Sequence, residues 1–139
     1  MLALLFSGCA AKQKTYTNGA VAADHILASQ AGVKILQMGG NAVDAAVATS
    51  FALSVVRPES CGIGGGGFMI IDSPTMDPVA LNYRETAPAE VGPDFYETHD
   101  SVNGPDASGI PGTVSGLLEA HRTFGTLTRQ QVLAPSILL

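Results

Sequence analysis

An α+β fold is the class this sequence predicts, on three observations. Apolar residues recur at helical spacing in several capped stretches. Two short runs near the middle of the chain have the length and alternation of strands that pair across a turn. The 46% hydrophobic content over 139 residues suffices for one packed core. Only 14% of residues are charged, which points to surface covered by a partner. The net charge of −5 leaves no basic patch for a phosphate backbone and argues against a nucleic-acid partner.

Met1 to Phe6 is an unbroken apolar run, followed by Ser7, Gly8 and Cys9. Residues 1–9 resemble a bacterial lipoprotein signal whose Cys becomes acylated, clipped at its front: Phe6 stands where the motif has Leu, and no basic residue precedes the run. A run this short cannot cross a bilayer, which takes about 20 apolar residues. Residues 10–18 are polar and turn-rich, as a tether is, and 19–139 carry the domain.

Ala20 to Ala23 is an apolar run expected as a short buried strand, with Asp24 as N-cap of a first helix. That helix carries Ile26, Leu27, Ala31, Ile35, Leu36 and Met38 and stops at Gly39–Gly40. Asn41 caps a second helix through Val43, Ala46, Val47, Phe51 and Leu53, and Pro58 forbids its continuation. The second helix is apolar nearly all round, so it belongs at the centre of the fold or beneath further chain.

After Cys61-Gly-Ile-Gly-Gly-Gly-Gly67, a strand runs from Phe68 to Asp72. Val79, Leu81 and Tyr83 alternate with Ala80, Asn82 and Arg84 in a second strand, across a turn at Ser73 to Pro78. The hairpin sets Arg84 at a strand end. Thr86 to Ile110 reads as an extended loop with at most one helical turn, near Phe95. Pro111-Gly112 leads into a helix from Thr113 to about Phe124, and Thr128 with Gln131 opens a last helix through Val132 and Leu133. That helix is expected to run out uncapped at Ser136-Ile-Leu-Leu139, as in an interrupted reading frame.

Gly62-x-Gly64-x-x-Gly67 has the form of a dinucleotide fingerprint, but that motif needs a helix after it and a strand follows here, so nucleotide binding is rejected. The glycines instead let the chain turn sharply and let another backbone approach closely. Cys9 and Cys61 stand alone and His25, His99 and His121 are scattered, so neither a metal nor a cofactor is assigned. Taken by itself, Arg84 beside Glu85 is a surface ion pair of negligible worth.

Four blocks alter that last reading. Gly39-Gly-Asn-Ala-Val-Asp-Ala-Ala-Val-Ala48, Gly64-Gly-Gly-Gly-Phe-Met69, Tyr83-Arg-Glu-Thr-Ala-Pro88 and Gly109-Ile-Pro-Gly-Thr-Val-Ser-Gly116 together resemble the large subunit of γ-glutamyltranspeptidases, in the family's order and spacing. The resemblance implies the N-terminal part of that subunit, within an αββα sandwich of the N-terminal-nucleophile hydrolase type. It also implies a precursor that cleaves itself before an internal threonine. That threonine's hydroxyl attacks the γ-glutamyl amide of glutathione and related compounds, with its own α-amine as base. Water then completes hydrolysis, and the amine of an amino acid or peptide completes transpeptidation.

By the same resemblance Arg84 is the substrate-binding residue. It matches the arginine of the family's Arg-Glu-x-Ala-Pro block and would hold the α-carboxylate of the γ-glutamyl group by two parallel hydrogen bonds. No catalytic residue is assigned. The family's nucleophile lies far beyond position 139, and Thr49, Thr86 and Thr113 are not in its motif. Gly64 to Gly67 are not the oxyanion hole and are expected to shape the sheet beneath the site. The implied partners are γ-glutamyl small molecules, the rest of the large subunit and the small subunit, with the membrane reached only through a lipid anchor. The implied location is the periplasm or cell envelope. Two other readings stand beside this one: a truncated homologue that binds γ-glutamyl compounds through Arg84 without turnover, and a related acylase of cephalosporin-type side chains. Coding sequence for a Thr-headed small subunit downstream of Leu139 favours the enzyme, and a stop codon there favours the binder.

Cys9 is expected to be diacylated at the N-terminus of the mature protein. Mass spectrometry of the N-terminal peptide from the native host should return lipid-modified Cys9; an unmodified Cys9, or cleavage elsewhere, contradicts it.

Overall fold

Two capped helices near the start, a hairpin in the middle and two helices at the end, the last of them capped, set the architecture of this computed structural model, which describes residues 15–139. The lipoprotein-like signal at 1–9, Cys9 included, and most of the 10–18 tether lie outside the described residues. The elements are α1 (Ile26–Gln37), α2 (Ala42–Val56), α3 (Pro58–Cys61), β1 (Phe68–Ser73), β2 (Met76–Asn82), α4 (Thr113–Phe124) and α5 (Arg129–Ile137). The α+β class holds, as one helical layer against one hairpin.

Helix α1 ends as expected on Gly39, whose φ of +89° suits glycine. Its start differs. His25 is the N-cap, its Nδ1 accepting from the Leu27 N–H at 3.2 Å. Asp24 instead pairs with Arg57 at 2.5 Å, beyond the far end of α2. The strand expected at Ala20 to Ala23 does not form. No neighbouring strand is present among the described residues to take its hydrogen bonds, and the Ala23 N–H goes to Ser29 Oγ at 3.0 Å.

Helix α2 is central, touching α1, α3, α4 and α5, as its all-round apolarity requires. Gly32 lets α1 lie close against it, since a Cβ there would stand 2.3 Å from Thr49 Oγ1. The core gathers Ile35, Val47, Leu117 and Val132, and Met69, Ile71, Leu81 and Tyr83 lean on it from the hairpin side. Each such large apolar side chain, where fully buried, contributes about 1.5–3 kcal/mol. Pro58 ends α2 but also opens the one-turn α3 as its first residue, where a missing N–H costs nothing.

Strands β1 and β2 pair antiparallel, Phe68 against Asn82 through Ile71 against Val79. The turn is tighter than expected, and Pro78 lies inside β2 at a register irregularity, where a missing donor is tolerated. The loop after the hairpin holds two 3₁₀ turns, Phe95–Glu97 and Pro105–Ala107, where one was expected. Helix α5 begins with the expected capping box of Thr128 and Gln131 and accommodates a buried Pro135.

Asp44 has no exposed surface. Its Oδ2 accepts from the Asn41 N–H at 3.0 Å, closing a capping box, and from the Thr126 hydroxyl at 2.7 Å, the Thr126 N–H at 3.0 Å and the Leu127 N–H at 3.3 Å. One carboxylate thus ties the start of α2 to the α4–α5 connection. Burial alone pushes its pKa up, but the Thr126 hydroxyl and the Asn41, Thr126 and Leu127 main-chain donors together hold it below the ordinary 3.8. A depressed folded-state pKa means the contribution is complete above pH 3.8 and is lost as the pH falls through the lower folded value. Asp44→Asn should therefore lower stability by about 2–3 kcal/mol at neutral pH. In urea unfolding of the full-length protein, the gap to wild type should close only below pH 3.8; an equal gap at neutral and strongly acid pH contradicts this.

Candidate functional site

Three stretches meet where the hairpin runs out: the glycine run, Tyr83-Arg84-Glu85 and the entry to α4. Gly67 and Tyr83 exchange both main-chain hydrogen bonds, at 3.3 and 3.0 Å, adding one pair to the ladder. The Gly112 and Thr113 N–H groups both donate to the Gly65 carbonyl, at 2.9 and 3.0 Å. A Cβ on Gly66 would lie 2.6 Å from Tyr83 O and Glu85 N, and one on Gly112 would lie 2.0 Å from Tyr83 O. Two backbones therefore press against the main chain of Tyr83 to Glu85 with no room for side chains. The close approach expected of the glycine run is met at Gly66 and Gly67, whereas Gly64 faces open space.

Within this clamp the Arg84 main chain is fixed, its N–H donating to Asn82 Oδ1 at 3.0 Å. The side chain is free of it: 67% exposed, with Nε 3.8 Å from Glu85 Oε2, too far for a hydrogen bond. With the guanidinium this exposed and no hydrogen bond formed, Glu85 holds it only weakly.

Glu85 is the site residue that sequence reasoning missed. Its Oε2 is buried and makes no hydrogen bond among the described residues. The side chain borders an open cavity of about 530 Å³ between the C-terminal half of α2, α3, the glycine run and the start of α4. Ser54, Cys61, Tyr83 and Thr113 also line it, and burial pushes the Tyr83 phenol pKa up. The Arg-Glu order was visible in the sequence, but the packing of Glu85 was not: its Cβ lies so near Gly109 that a side chain there would stand 3.1 Å from it.

The other threonines are dispersed. The Thr49 hydroxyl donates to the Ala45 carbonyl inside α2, Thr86 bridges to Ile110 across the loop, and Thr113 begins α4. The arrangement can bind an anionic group at Arg84.

A family model described as gamma-glutamyltranspeptidase matches residues 28–139. The glutathione hydrolase proenzyme of Bacillus subtilis (strain 168) is 44% identical over 131 residues, 88% of this chain and 22% of its own length. The crystal structure of Helicobacter pylori gamma-glutamyltranspeptidase superposes with a TM-score of 0.83 at 40% identity, over 90% of this chain and 38% of that one. A cephalosporin acylase from Bacillus halodurans superposes at 0.81 with 30% identity, over 97% of this chain and 27% of that one. The chain spans about a fifth to a quarter of the length of the curated relatives it matches.

The clamp predicts unequal costs along the glycines. Gly112→Ala should destabilise the full-length protein by about 1–3 kcal/mol, because the Tyr83 carbonyl it meets cannot retreat without breaking the pair with Gly67. Gly64→Ala should cost under about 1 kcal/mol. Urea unfolding of the two variants compares them directly, and equal costs contradict the clamp.

Proposed function

The chain belongs to the gamma-glutamyltranspeptidase family, and on that premise we propose that the protein cleaves γ-glutamyl amides such as glutathione and passes the γ-glutamyl group to water or to an amine. The observation that best supports this is Arg84, whose main chain is locked in the glycine clamp while its guanidinium stays exposed and weakly paired. A planar guanidinium on a fixed backbone can meet the α-carboxylate with two parallel hydrogen bonds.

The nucleophile in this reading is a threonine outside these 139 residues, heading a small subunit released from a self-cleaved precursor. Its hydroxyl oxygen adds to the γ-carbonyl while its α-amine takes the proton. The tetrahedral adduct then expels the protonated amine of the substrate, leaving a γ-glutamyl-threonine ester that water or an acceptor amine opens. The 139-residue chain alone is accordingly inactive. Cys9, as a lipidated N-terminus, would hold the protein at the cell envelope on the periplasmic side.

A related acylase is the second reading, favoured by the superposition on the Bacillus halodurans cephalosporin acylase at 30% identity. Release of cephalosporin-type side chains without γ-glutamyl cleavage by the full-length protein would select it.

In the full-length enzyme, Arg84→Ala should lower kcat/KM for γ-glutamyl-p-nitroanilide by about 30- to 5,000-fold, the equivalent of losing one partner of a desolvated carboxylate pair. Stability should change by less than about 0.5 kcal/mol, and Arg84→Lys should recover only part of the loss. Kinetics within about threefold of wild type contradict the assignment of Arg84. Nitroaniline release by the isolated chain above a buffer blank contradicts the placing of the nucleophile.

A further inference from the structure

The fold puts two of its four asparagines to work. The Asn41 side chain donates to the Phe124 carbonyl at 2.6 Å and accepts from the Asp44 N–H at 3.0 Å, and Asn82 accepts from the Arg84 N–H at 3.0 Å. The other two, Asn18 and Asn103, are exposed, and each precedes a glycine. An asparagine before glycine carries a reaction of its own. With no Cβ on the following residue, that residue's main-chain nitrogen can reach the carbonyl carbon of the asparagine side chain.

The two Asn-Gly pairs differ in the room around them. Gly19 is packed on α1, where a Cβ would stand 3.2 Å from Leu36 Cδ1. A Cβ on Gly104 would meet nothing within 4 Å, and among the described residues the Gly104 N–H has no hydrogen-bond acceptor. The Asn103 side chain is held only by Asp100, its Nδ2 lying 3.3 Å from Oδ2, a long bond in an exposed place. Closing a ring between neighbouring residues requires the main chain to rotate, which a loop with few contacts permits and a packed segment resists. The loop also stands apart from the clamp, its base closed by the Thr86–Ile110 pair at 3.2 and 2.8 Å.

We infer that Asn103–Gly104 is a modification site, converted by water to aspartate and isoaspartate through a cyclic imide. The Gly104 main-chain nitrogen gives its proton to solvent and bonds to Asn103 Cγ. The Cγ–Nδ2 bond breaks, and Nδ2 leaves as ammonia, its third proton drawn from solvent. Water then opens the ring at one of two carbonyls, and nothing is oxidised or reduced. Addition at Cγ gives aspartate. Addition at the main-chain carbonyl carbon of residue 103 gives isoaspartate, whose main chain runs through Cβ and Cγ. Both products add a carboxylate to a loop that already holds Glu90, Asp94, Glu97, Asp100 and Asp106 and no Lys or Arg. The extra main-chain carbon of isoaspartate falls beside Gly104, where nothing is packed to obstruct it.

Incubation of the folded full-length protein in oxygen-18 water at neutral pH, followed by peptide mapping, tests this without any substrate. Conversion during the incubation adds about 3 Da to the peptide that carries residue 103, whereas conversion before it adds about 1 Da. The label should accumulate at Asn103 at least about tenfold faster than at Asn18, with both aspartate and isoaspartate resolved by electron-transfer fragmentation. Gly104→Ala should slow the reaction at Asn103 by at least about tenfold and leave Asn18 unchanged, since its Cβ shields the attacking nitrogen. Asn103 that stays unlabelled, or is labelled no faster than Asn18, overturns the site. Labelling that persists at the same rate in Gly104→Ala also overturns it, because the oxygen then enters without the ring.

Discussion

Room for only two backbones, and no Cβ between them, is the constraint on which the candidate site depends. Gly66 and Gly112 both lie hard against the main chain of Tyr83 to Glu85, with Gly116 meeting the Tyr83 side chain. The hairpin end, the glycine run and the entry to α4 are thereby fixed to one another, although 28 positions separate Tyr83 from the Pro111 that precedes this entry. The intervening loop, with two isolated 3₁₀ turns and one bridge, contributes little to that fixing. A side chain leaving this clamp starts from a defined point and direction, which a two-pronged contact to a carboxylate requires.

Asp44 does for the helical layer what the clamp does for the hairpin. Its carboxylate is fully buried, a costly placement that its surrounding donors offset. His121 is held nearby, with Nε2 2.9 Å from the Leu127 carbonyl and 3.6 Å from Asp44 Oδ1. The start of α2 and the α4–α5 connection are thus set by one group, and α4 in turn presents Gly112 and Gly116 to Tyr83. The two constraints form one chain of position, from the Asn41 cap to Arg84.

The parts of the fold legible in the sequence are those decided locally. Asn41 and Thr128 cap their helices, Gly39 ends α1 with a positive φ, and alternation finds the hairpin, because each signal sits within a few residues of its effect. The errors come from distant partners. Asp24 was expected to cap α1, but Arg57 draws it away and His25 takes the position. Ala20 to Ala23 has strand composition and no strand to pair with. Pro78 was assigned to the turn because its tolerance inside β2 depends on a register irregularity that pattern alone does not show. At the site, the sequence indicated that the glycine run admits a backbone but not that the backbone is Tyr83 to Glu85. Arg84 stood out through its family block, and Glu85 gave no sign that one of its oxygens is buried.

The backbone under Arg84 is set before any ligand arrives. A crystal structure of the full-length protein with glutamate bound tests it most directly. Both guanidinium edge nitrogens of Arg84 should lie on the α-carboxylate, with the Tyr83–Glu85 Cα atoms within about 1 Å of their positions here. A carboxylate held without Arg84, or a Tyr83–Glu85 backbone displaced by more than about 2 Å, would contradict it.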